Sequence, residues 1–256
     1  MILFGDYHTH TIYSGGKLKI KHAKTTILEN ALIAKEKGLK EIAITEHGFL
    51  HKLYGLQRKN IQKMRNEIEY AKQKTGVNIL LGIEANIISS EGDVDVKPED
   101  LQNLDLLIVG FHAFAKAKSI KEYFKFFLPN LLGFKSQKTV KRNTLALLKA
   151  MDKYNIDFIS HPGVKMPVDF KEVGQHANKT NTMLELNGKR IAYTDQDINI
   201  LKQQNVKFII NSDAHHKNKV GECNKGMNFA IKHSIKAENI ANLSKKIYFK
   251  NYRTGD

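Results

Sequence analysis

Seven short apolar runs are spaced along the chain with helical patterns between most of them, and this alternation restricts the fold more than any other feature. The runs are nearly continuous in Ile, Leu, Val and Phe, as in strands that are buried on both faces of a parallel sheet. They are MILFGDY (1–7), EIAIT (41–45), NILLGIE (78–84), DLLIVGF (105–111), DFISH (157–161), MLELN (183–187) and VKFIINS (206–212). Parallel strands joined by helices predict an α/β protein, most simply a barrel.

The segments between the runs carry helix signals. In TTILENALIAKEKGLK, Thr26 and Glu29 have the spacing of a capping box, and Gly38 is placed to end the helix. Further helices are predicted near 57–75, 136–153, 194–204 and 224–233. Because no linker-like tract interrupts this order, we expect residues 1–256 to form a single domain.

The segment 113–135 departs from this regular order. It contains the aromatic-rich stretch IKEYFKFFLPNLLGF, which Pro129 and Gly133 interrupt. We expect it to pack against the outside of the barrel. An active-site lid and an oligomer contact are the alternatives.

Composition bears on the compartment and on possible partners. Cys223 is the only cysteine, no apolar run approaches the roughly 18 residues of a membrane span, and the N-terminus lacks a secretory signal, which together favour a reducing cytoplasm. The formal charge of +15 would suit nucleic acid. However, only five of the 41 basic residues are Arg, so we favour the alternative that the charge comes from lysines spread over solvated surfaces.

Most of the predicted strands end in a histidine or a carboxylate. Five of the seven deliver a histidine and the third delivers Glu84, whereas the sixth, which ends near Asn187, delivers neither. The strand-end residues are His8, His10, Glu46, His47, Glu84, His112, His161, Asp213, His215 and His216. In α/β barrels this end of the strands forms the active site. His51, His176 and His233 fall outside the pattern, and we expect them at the surface.

Two pairs in this set have the spacing of metal ligands. Residues two apart in an extended segment lie on the same face, so His8 with His10, and Asp213 with His215, each point two donors into one cavity. Imidazole and carboxylate without thiolate suit zinc, manganese or iron in hydrolytic chemistry. Unrelated histidines that hydrogen-bond to the backbone are the alternative.

In order along the chain, the motifs DYHTHTIYS, GLKEIAITEHG, GIEANI, DLLIVGFH, ISHPG and FIINSDAHH resemble the PHP (polymerase and histidinol phosphatase) domain family. The resemblance covers nearly the whole chain. It implies a distorted seven-stranded, TIM-like (β/α)7 barrel that carries two or three divalent metal ions and acts on phosphoesters.

The resemblance also implies a ligand set. A first metal would be held by His8, His10, Glu84 and Asp213, and Glu84 would bridge to a second metal held by His112 and His161. A third metal would take His47, His215 and a histidine from the loop after the first strand. Gly15 and Gly16 stand where many relatives have that histidine, so His22 would supply it if GGKLKIK is a short insertion. Glu46 departs from the Asp of many relatives, and we expect it to point away from His47.

The implied reaction is attack on phosphorus by a metal-activated hydroxide. Glu84 would set the separation of the metals, and Asp213 would carry a proton as well as bind metal. His216 is a candidate for protonating the leaving group, and its alternative is a solvent-facing neighbour of His215. Arg190, with Lys189, is the candidate for holding the substrate phosphate.

Three functions are compatible with these motifs. The first is a phosphatase for a small phosphomonoester, similar to histidinol phosphatases. The second is a nuclease of the same family that acts on single-stranded nucleic acid, which the charge supports. The third is a non-catalytic metal-binding scaffold, against which the nearly complete ligand set argues. The sequence does not indicate an oligomeric state.

Overall fold

Seven parallel strands follow one another around a nearly closed barrel in a computed structural model that describes residues 2–16 and 22–251. Each strand pairs with the next one along the chain. The strands are β1 (Gly5–Thr9), β2 (Glu41–His47), β3 (Asn78–Asn86), β4 (Leu106–Gly110), β5 (Phe158–Ile159), β6 (Met183–Asn187) and β7 (Phe208–Asn211). The predicted barrel of seven strands is thereby confirmed.

Helices fill the connections between the strands. They are α1 (Ile27–Glu36), α2 (Ile61–Thr75), α3 (Pro98–Leu101), α4 (Ile120–Glu122), α5 (Leu128–Leu131), α6 (Gln137–Lys153), α7 (Phe170–Lys179), α8 (Asp195–Gln203) and α9 (Asn224–Lys232). Thr26 and Glu29 form the predicted capping box at the start of α1. No described helix is both long enough and apolar enough to cross a membrane.

Alternate residues of the strands divide the core in two. One set packs between the strands and the helices and includes Ile44, Leu81 and Val109. The other set faces the barrel interior, because successive side chains of a strand point to opposite faces. It consists of Tyr7, Ala43, Leu80, Leu106, Ile108, Phe158 and Ile209, and Phe249 of the C-terminal segment packs against it. This apolar layer lies beneath the side chains that the same strands carry at their carboxyl ends.

The barrel closes between its first and last strands through few contacts. Thr9 forms an isolated parallel bridge with Ala214. The His10 amide donates to the Ala214 carbonyl at 2.8 Å, and the Ala214 amide donates to the His8 carbonyl at 3.2 Å. The Tyr7 amide also donates to the Asn211 side chain. We call this junction the β1–β7 seam.

The aromatic-rich segment packs on the barrel through two phenylalanines. After α4 the backbone forms a π-helical turn over residues 123–127, and Phe126 and Phe127 are buried against Phe111. The opposite side of the segment leaves Ile120 and Phe124 exposed. Packing is thus the role that the structure supports for this segment.

Two helices escape the sequence pattern, the single-turn α3 and the longer α7. No helix is predicted between the fifth and sixth strands, yet α7 occupies residues 170–179. Its start is fixed by Asp169, whose carboxylate accepts from the Lys171 amide at 2.8 Å. Strand β5 is also shorter than predicted and comprises only Phe158 and Ile159.

Candidate metal centre

The predicted metal ligands meet at the carboxyl-terminal end of the barrel. They come from β1, β2 and β3 and from the segments that directly follow β1, β4, β5 and β7. We call the following residues the ligand cluster: His8, His10, His47, Glu84, His112, His161, Asp213 and His215. His47 and Glu84 share the interior face of their strands with Ala43 and Leu80, which lie earlier in the same strands.

An irregularity in β1 helps to place His8 in the cluster. The register of β1 with β2 shifts by one residue between Asp6 and Thr9. Tyr7 already faces the interior, and the extra residue allows its neighbour His8 to face the interior as well. Such bulges occur next to active sites because they redirect a side chain.

Glu84 is the centre of the cluster and is completely buried. Its Oε1 lies 2.9 Å from Nε2 of His161 and 3.3 Å from Nε2 of His8. The same oxygen is 3.4 Å from Nε2 of His112, whereas Oε2 is 3.0 Å from Nδ1 of His47. One carboxylate therefore contacts residues of every predicted metal group, as a bridging ligand must.

Three compact groups of donor atoms, which share His10 and His47, include this carboxylate or lie beside it. In each group, all the donor atoms lie within 4.8 Å of one another. The groups are His8 with His10 and Asp213, His47 with Glu84 and His112, and His10 with His47 and His215. The arrangement has donors for more than one cation.

His22 lies beside the third group. Its ring centre is 4.4 Å from that of His215 and 5.2 Å from that of His47. The ring stacks on Tyr54 with centres 3.8 Å apart. Residues 17–21 of the insertion before it lie outside the described residues. This is the location expected of the additional ligand.

The cluster contains buried nitrogen and oxygen atoms that form no hydrogen bond and that a cation would bind. Six buried atoms have no hydrogen bond in the described part of the chain: Nε2 of His8 and of His10, both ring nitrogens of His47, Oε2 of Glu84 and Nδ1 of His161. Oε2 of Glu84 and Nδ1 of His47 are 3.0 Å apart, but they are not oriented to form a hydrogen bond. An unpaired buried polar atom costs about 1–3 kcal/mol, so such atoms are rare. Nitrogen and carboxylate donors that converge in this way fit a divalent cation such as zinc.

The protonation states of three predicted ligands suit cation binding, whereas nearby carboxylates raise the pKa of His8 and of His161 despite their burial, so these two would have to release a proton to bind a metal. Burial lowers the pKa of His10 and of His47 well below the usual value, so both are neutral imidazoles. Burial alone would raise the pKa of Glu84, but the neighbouring His112 and His8 hold it well below the usual value. Ligands must be deprotonated to bind a metal, and these three groups are deprotonated at neutral pH.

A cavity of about 390 Å³ adjoins the ligand cluster. Cluster residues form part of its lining, and the aromatic rings of Tyr54, Phe111 and Phe114 form another part. A cavity that combines polar groups with aromatic rings is typical of sites for small molecules.

Three cations line the same cavity. Lys189 and Arg190 are the residues predicted to hold substrate phosphate, and Lys165 joins them without having been predicted from the sequence. Nζ of Lys189 lies 3.2 Å from Oδ1 of Asp213 and 2.7 Å from Nδ1 of His215. Positive charge therefore lies immediately beside the ligand cluster.

The structure corrects the expectation for His51. This residue is buried, lines the cavity and stacks on His47 with ring centres 5.0 Å apart. His176 and His233, also expected at the surface, are half-buried. His216 is exposed and is not among the described residues that line the cavity, so no contact supports its predicted role as an acid.

Glu185 is a residue of the site that the strand-end pattern does not reveal. It is buried in β6, and its Oε1 lies 2.8 Å from Nδ1 of His8. Its Oε2 accepts from the backbone amide of His161 at 2.7 Å, and the Asn187 and Asn211 amides donate to the carboxylate. A carboxylate on the second ring nitrogen of a ligand histidine fixes the ring and its tautomer.

Glu46 holds the loop after β1 rather than entering the cavity lining. It accepts hydrogen bonds from the Thr11 backbone and from the hydroxyls of Thr11 and Ser14. The Ser14 hydroxyl is in turn 3.3 Å from Nδ1 of His10. Burial raises the pKa of Glu46 to about 7.

Two members of the cluster have a backbone conformation that is rare for their residue types. His161 has φ of 30° and Asp213 has φ of 55°. Residues other than glycine seldom adopt this region, and those that do are concentrated at functional sites. Gly110 leaves the necessary room, because a Cβ there would lie 3.1 Å from His161 and would collide with the Ser160 hydroxyl.

Comparison with known proteins agrees with this geometry. The PHP domain family profile matches residues 6–212. Proteins named probable phosphatase from Clostridium acetobutylicum and from a Thermoanaerobacter species are 33% and 31% identical, each covering 86% of this chain and 82% of the relative. The solved histidinol phosphate phosphatase of Lactococcus lactis, in complex with zinc, L-histidinol and phosphate, has a TM-score of 0.65 at 16% identity, covering 92% of this chain and 95% of that one. The chain belongs to the PHP domain family.

Proposed function

We propose that this protein is a metal-dependent phosphatase that hydrolyses a small phosphomonoester. The observation that carries the proposal is the convergence of unsatisfied imidazole and carboxylate atoms around Glu84, next to a cavity lined by cations. The names of the sequence relatives support the phosphatase assignment. The ligands of the Lactococcus lactis enzyme support histidinol phosphate as the first substrate to test.

The three donor groups support a centre of two or three metals. His8, His10 and Asp213 would hold one ion, and His112 with His161 would hold another. The third would take His47, His215 and His22, and Glu84 would bridge. Bound divalent cations of this kind lower the pKa of water and offset the charge of phosphate oxygens.

The protein's own residues would bind and orient the substrate. Lys189 and Arg190 carry positive charge to the edge of the cluster, where an arginine fork can bind two phosphate oxygens. The rings of Phe111 and Phe114 would contact the organic part of the ester and exclude water from that side. Asp213 would carry a proton during the reaction, as well as binding a metal.

A family nuclease is the second candidate, because the net charge of +15 would attract a polyanion. The two candidates differ in a simple assay. A phosphatase releases phosphate from small monoesters, whereas a nuclease shortens single-stranded oligonucleotides and loses affinity steeply as salt rises. The buried free thiol of Cys223 supports a reducing, cytoplasmic setting for either.

The proposal is tested by replacing one ligand. We expect His10→Ala to lower the metal content of protein purified without chelators, and to reduce phosphate release to background. Circular dichroism should show that the barrel remains folded. His176→Ala, on helix α7, is the matched control and should change neither quantity. Full phosphate release by His10→Ala protein, or less than one metal per wild-type chain, would count against the assignment.

A further inference from the structure

A second cavity, of about 260 Å³, lies between α6, the 123–127 turn and the loop after β3. Its lining is strongly basic. The charged residues around it are Lys125, Lys138, Lys141, Arg142, Lys149 and Glu91. Among the described residues, none lines both this cavity and the one at the ligand cluster. We call it the basic cavity.

One face of α6 supplies most of this charge. Lys138, Lys141, Arg142 and Lys149 are separated by three, one and seven residues, which places them on one side of a helix. The other side of α6 packs into the core through residues such as Leu147. The sequence thus directs the basic residues of this helix into a single cavity.

Only part of the charge is neutralised within the protein. Glu91 pairs with Lys149 at 2.5 Å and lies 3.8 Å from Lys125. Lys138, Lys141 and Arg142, by contrast, have no carboxylate within ion-pair distance in the described part of the chain. Glu122, 3.9 Å from Lys125, adds a second carboxylate near Arg142, but five cations against two carboxylates still leave the cavity with a net positive charge.

Arg142 shows where a ligand would bind. Its Nε and Nη2 atoms are buried and have no hydrogen-bond partner among residues 2–16 and 22–251. A buried charged donor without a partner is destabilising, and a bound anion would supply the missing acceptors. These two atoms lie on one edge of the planar guanidinium and match two oxygens of a phosphate group.

We propose that the basic cavity is a second anion site, which binds a compact phosphate-bearing molecule through the Arg142 guanidinium, with Lys138 and Lys141 beside it. Its volume of about 260 Å³ suits one or two phosphate groups. The carboxylate of Glu91 would repel the phosphates of an extended nucleic-acid strand, and the lining contains one arginine to bind them. The proposal does not depend on the metal centre, because the two cavities share no described lining residue.

The test must distinguish phosphate bound at this site from phosphate bound at the metals, so it identifies which lysines the ligand protects. Lysine acetylation of the metal-loaded protein is followed by mass spectrometry, with inorganic phosphate, pyrophosphate and a single-stranded oligonucleotide as separate ligands. We expect phosphate or pyrophosphate to protect Lys138 and Lys141. Lys179, exposed at the end of α7, should stay reactive as an internal control.

Arg142→Gln should weaken that protection about tenfold or more, since a charged hydrogen bond is lost. It should leave phosphatase activity unchanged. Lys179→Gln removes the same charge elsewhere and should leave the protection intact. Equal protection in Arg142→Gln, equal loss in Lys179→Gln, or protection by the oligonucleotide alone would each overturn the proposal. Protection by pyrophosphate but not by inorganic phosphate would support it and assign the larger anion.

Discussion

Glu185 shows how a residue that need not touch the metal can control the site. Its carboxylate contacts the His8 ring nitrogen that points away from the cavity centre, and it also accepts from the His161 backbone. It therefore fixes two of the predicted ligands at once. A neutral amide in its place could hold one of these contacts but would not make His8 more basic.

We expect Glu185→Gln to weaken metal affinity by about 10- to 100-fold. Competition with a coloured chelator measures this directly, without any activity assay. Glu41→Gln is the matched control, because Glu41 is an equally buried carboxylate at the start of β2, bonded to the Tyr7 hydroxyl. If both variants lost metal equally, the effect would be one of general stability and not of ligand positioning.

Arg190 is the residue whose role in substrate binding is most open to a kinetic test. We expect Arg190→Ala to lower kcat/KM by about one to two orders of magnitude, since a charge-assisted contact to phosphate is lost. Metal content should not change. Lys179→Ala, at the exposed end of α7, removes a charge that does not line the cavity and should have little effect. Unchanged kinetics in Arg190→Ala would show that Lys165 and Lys189, and not Arg190, bind the substrate phosphate.

The sequence identifies the ligand cluster because strands impose a period of two and end at the same edge of a barrel. His47, Glu84 and His112 follow directly from that rule. His51 does not, because the turn after β2 that folds it back over His47 has no period. Glu185 is hidden for a different reason, since an acidic residue within an apolar strand gives no sign of its distant partner His8.

At the scale of the element, α7 shows the limit of helix signals. Gly174 lies in its middle and lowers its helix propensity. Tertiary packing compensates, because Phe170, Val173 and Ala177 are buried against the barrel. Strands are easier to predict here, because short apolar runs beside turn residues, such as NILLGIE after Gly76 in β3, favour a buried strand over a helix. Strand β5 is shorter than its apolar run predicts, since its partners pair with it only at Phe158 and Ile159.

Because its propensity is low, α7 should depend on its N-terminal cap. We expect Asp169→Ala to lower the free energy of unfolding by about 1 kcal/mol, through loss of the bonds to the Lys171 and Glu172 amides. Urea denaturation measures the change. Glu36→Ala removes the same charge from an exposed site at the end of α1 and should stay within about 0.5 kcal/mol of the wild type. A wild-type midpoint for Asp169→Ala would show that packing alone starts the helix.

At the scale of the whole molecule, Asp157 joins the barrel to the C-terminal segment. Its carboxylate accepts a buried hydrogen bond from the Leu107 amide of β4 and a half-buried one from the Lys250 amide. Burial raises its pKa to about 6 from 3.8. The folded protein therefore binds this proton more tightly than the unfolded chain does, and this group's contribution to stability falls as pH rises from about 4 to about 6.

Asp157→Asn removes this pH dependence. Relative to the wild type, we expect its free energy of unfolding to gain about 2 kcal/mol between about pH 4.5 and pH 7.5. Its absolute stability should be lower throughout, because an amide oxygen can accept only one of the two contacts as placed. Denaturation at several pH values gives both quantities. Parallel stability curves for the two proteins would show that Asp157 titrates normally, and Glu36→Gln, at an exposed position of α1, serves as a control.

The β1–β7 seam has a consequence for the stability of the whole chain. Few backbone bonds join the first and last strands, yet His8 and His10 lie on one side of this junction and Asp213 lies on the other. An ion held by all three would act as a cross-link between residues more than two hundred positions apart. Its binding free energy would then add to the free energy of folding, at RT ln(1 + [metal]/Kd), so that scarcity of metal in the cell would threaten the survival of the protein as well as its turnover.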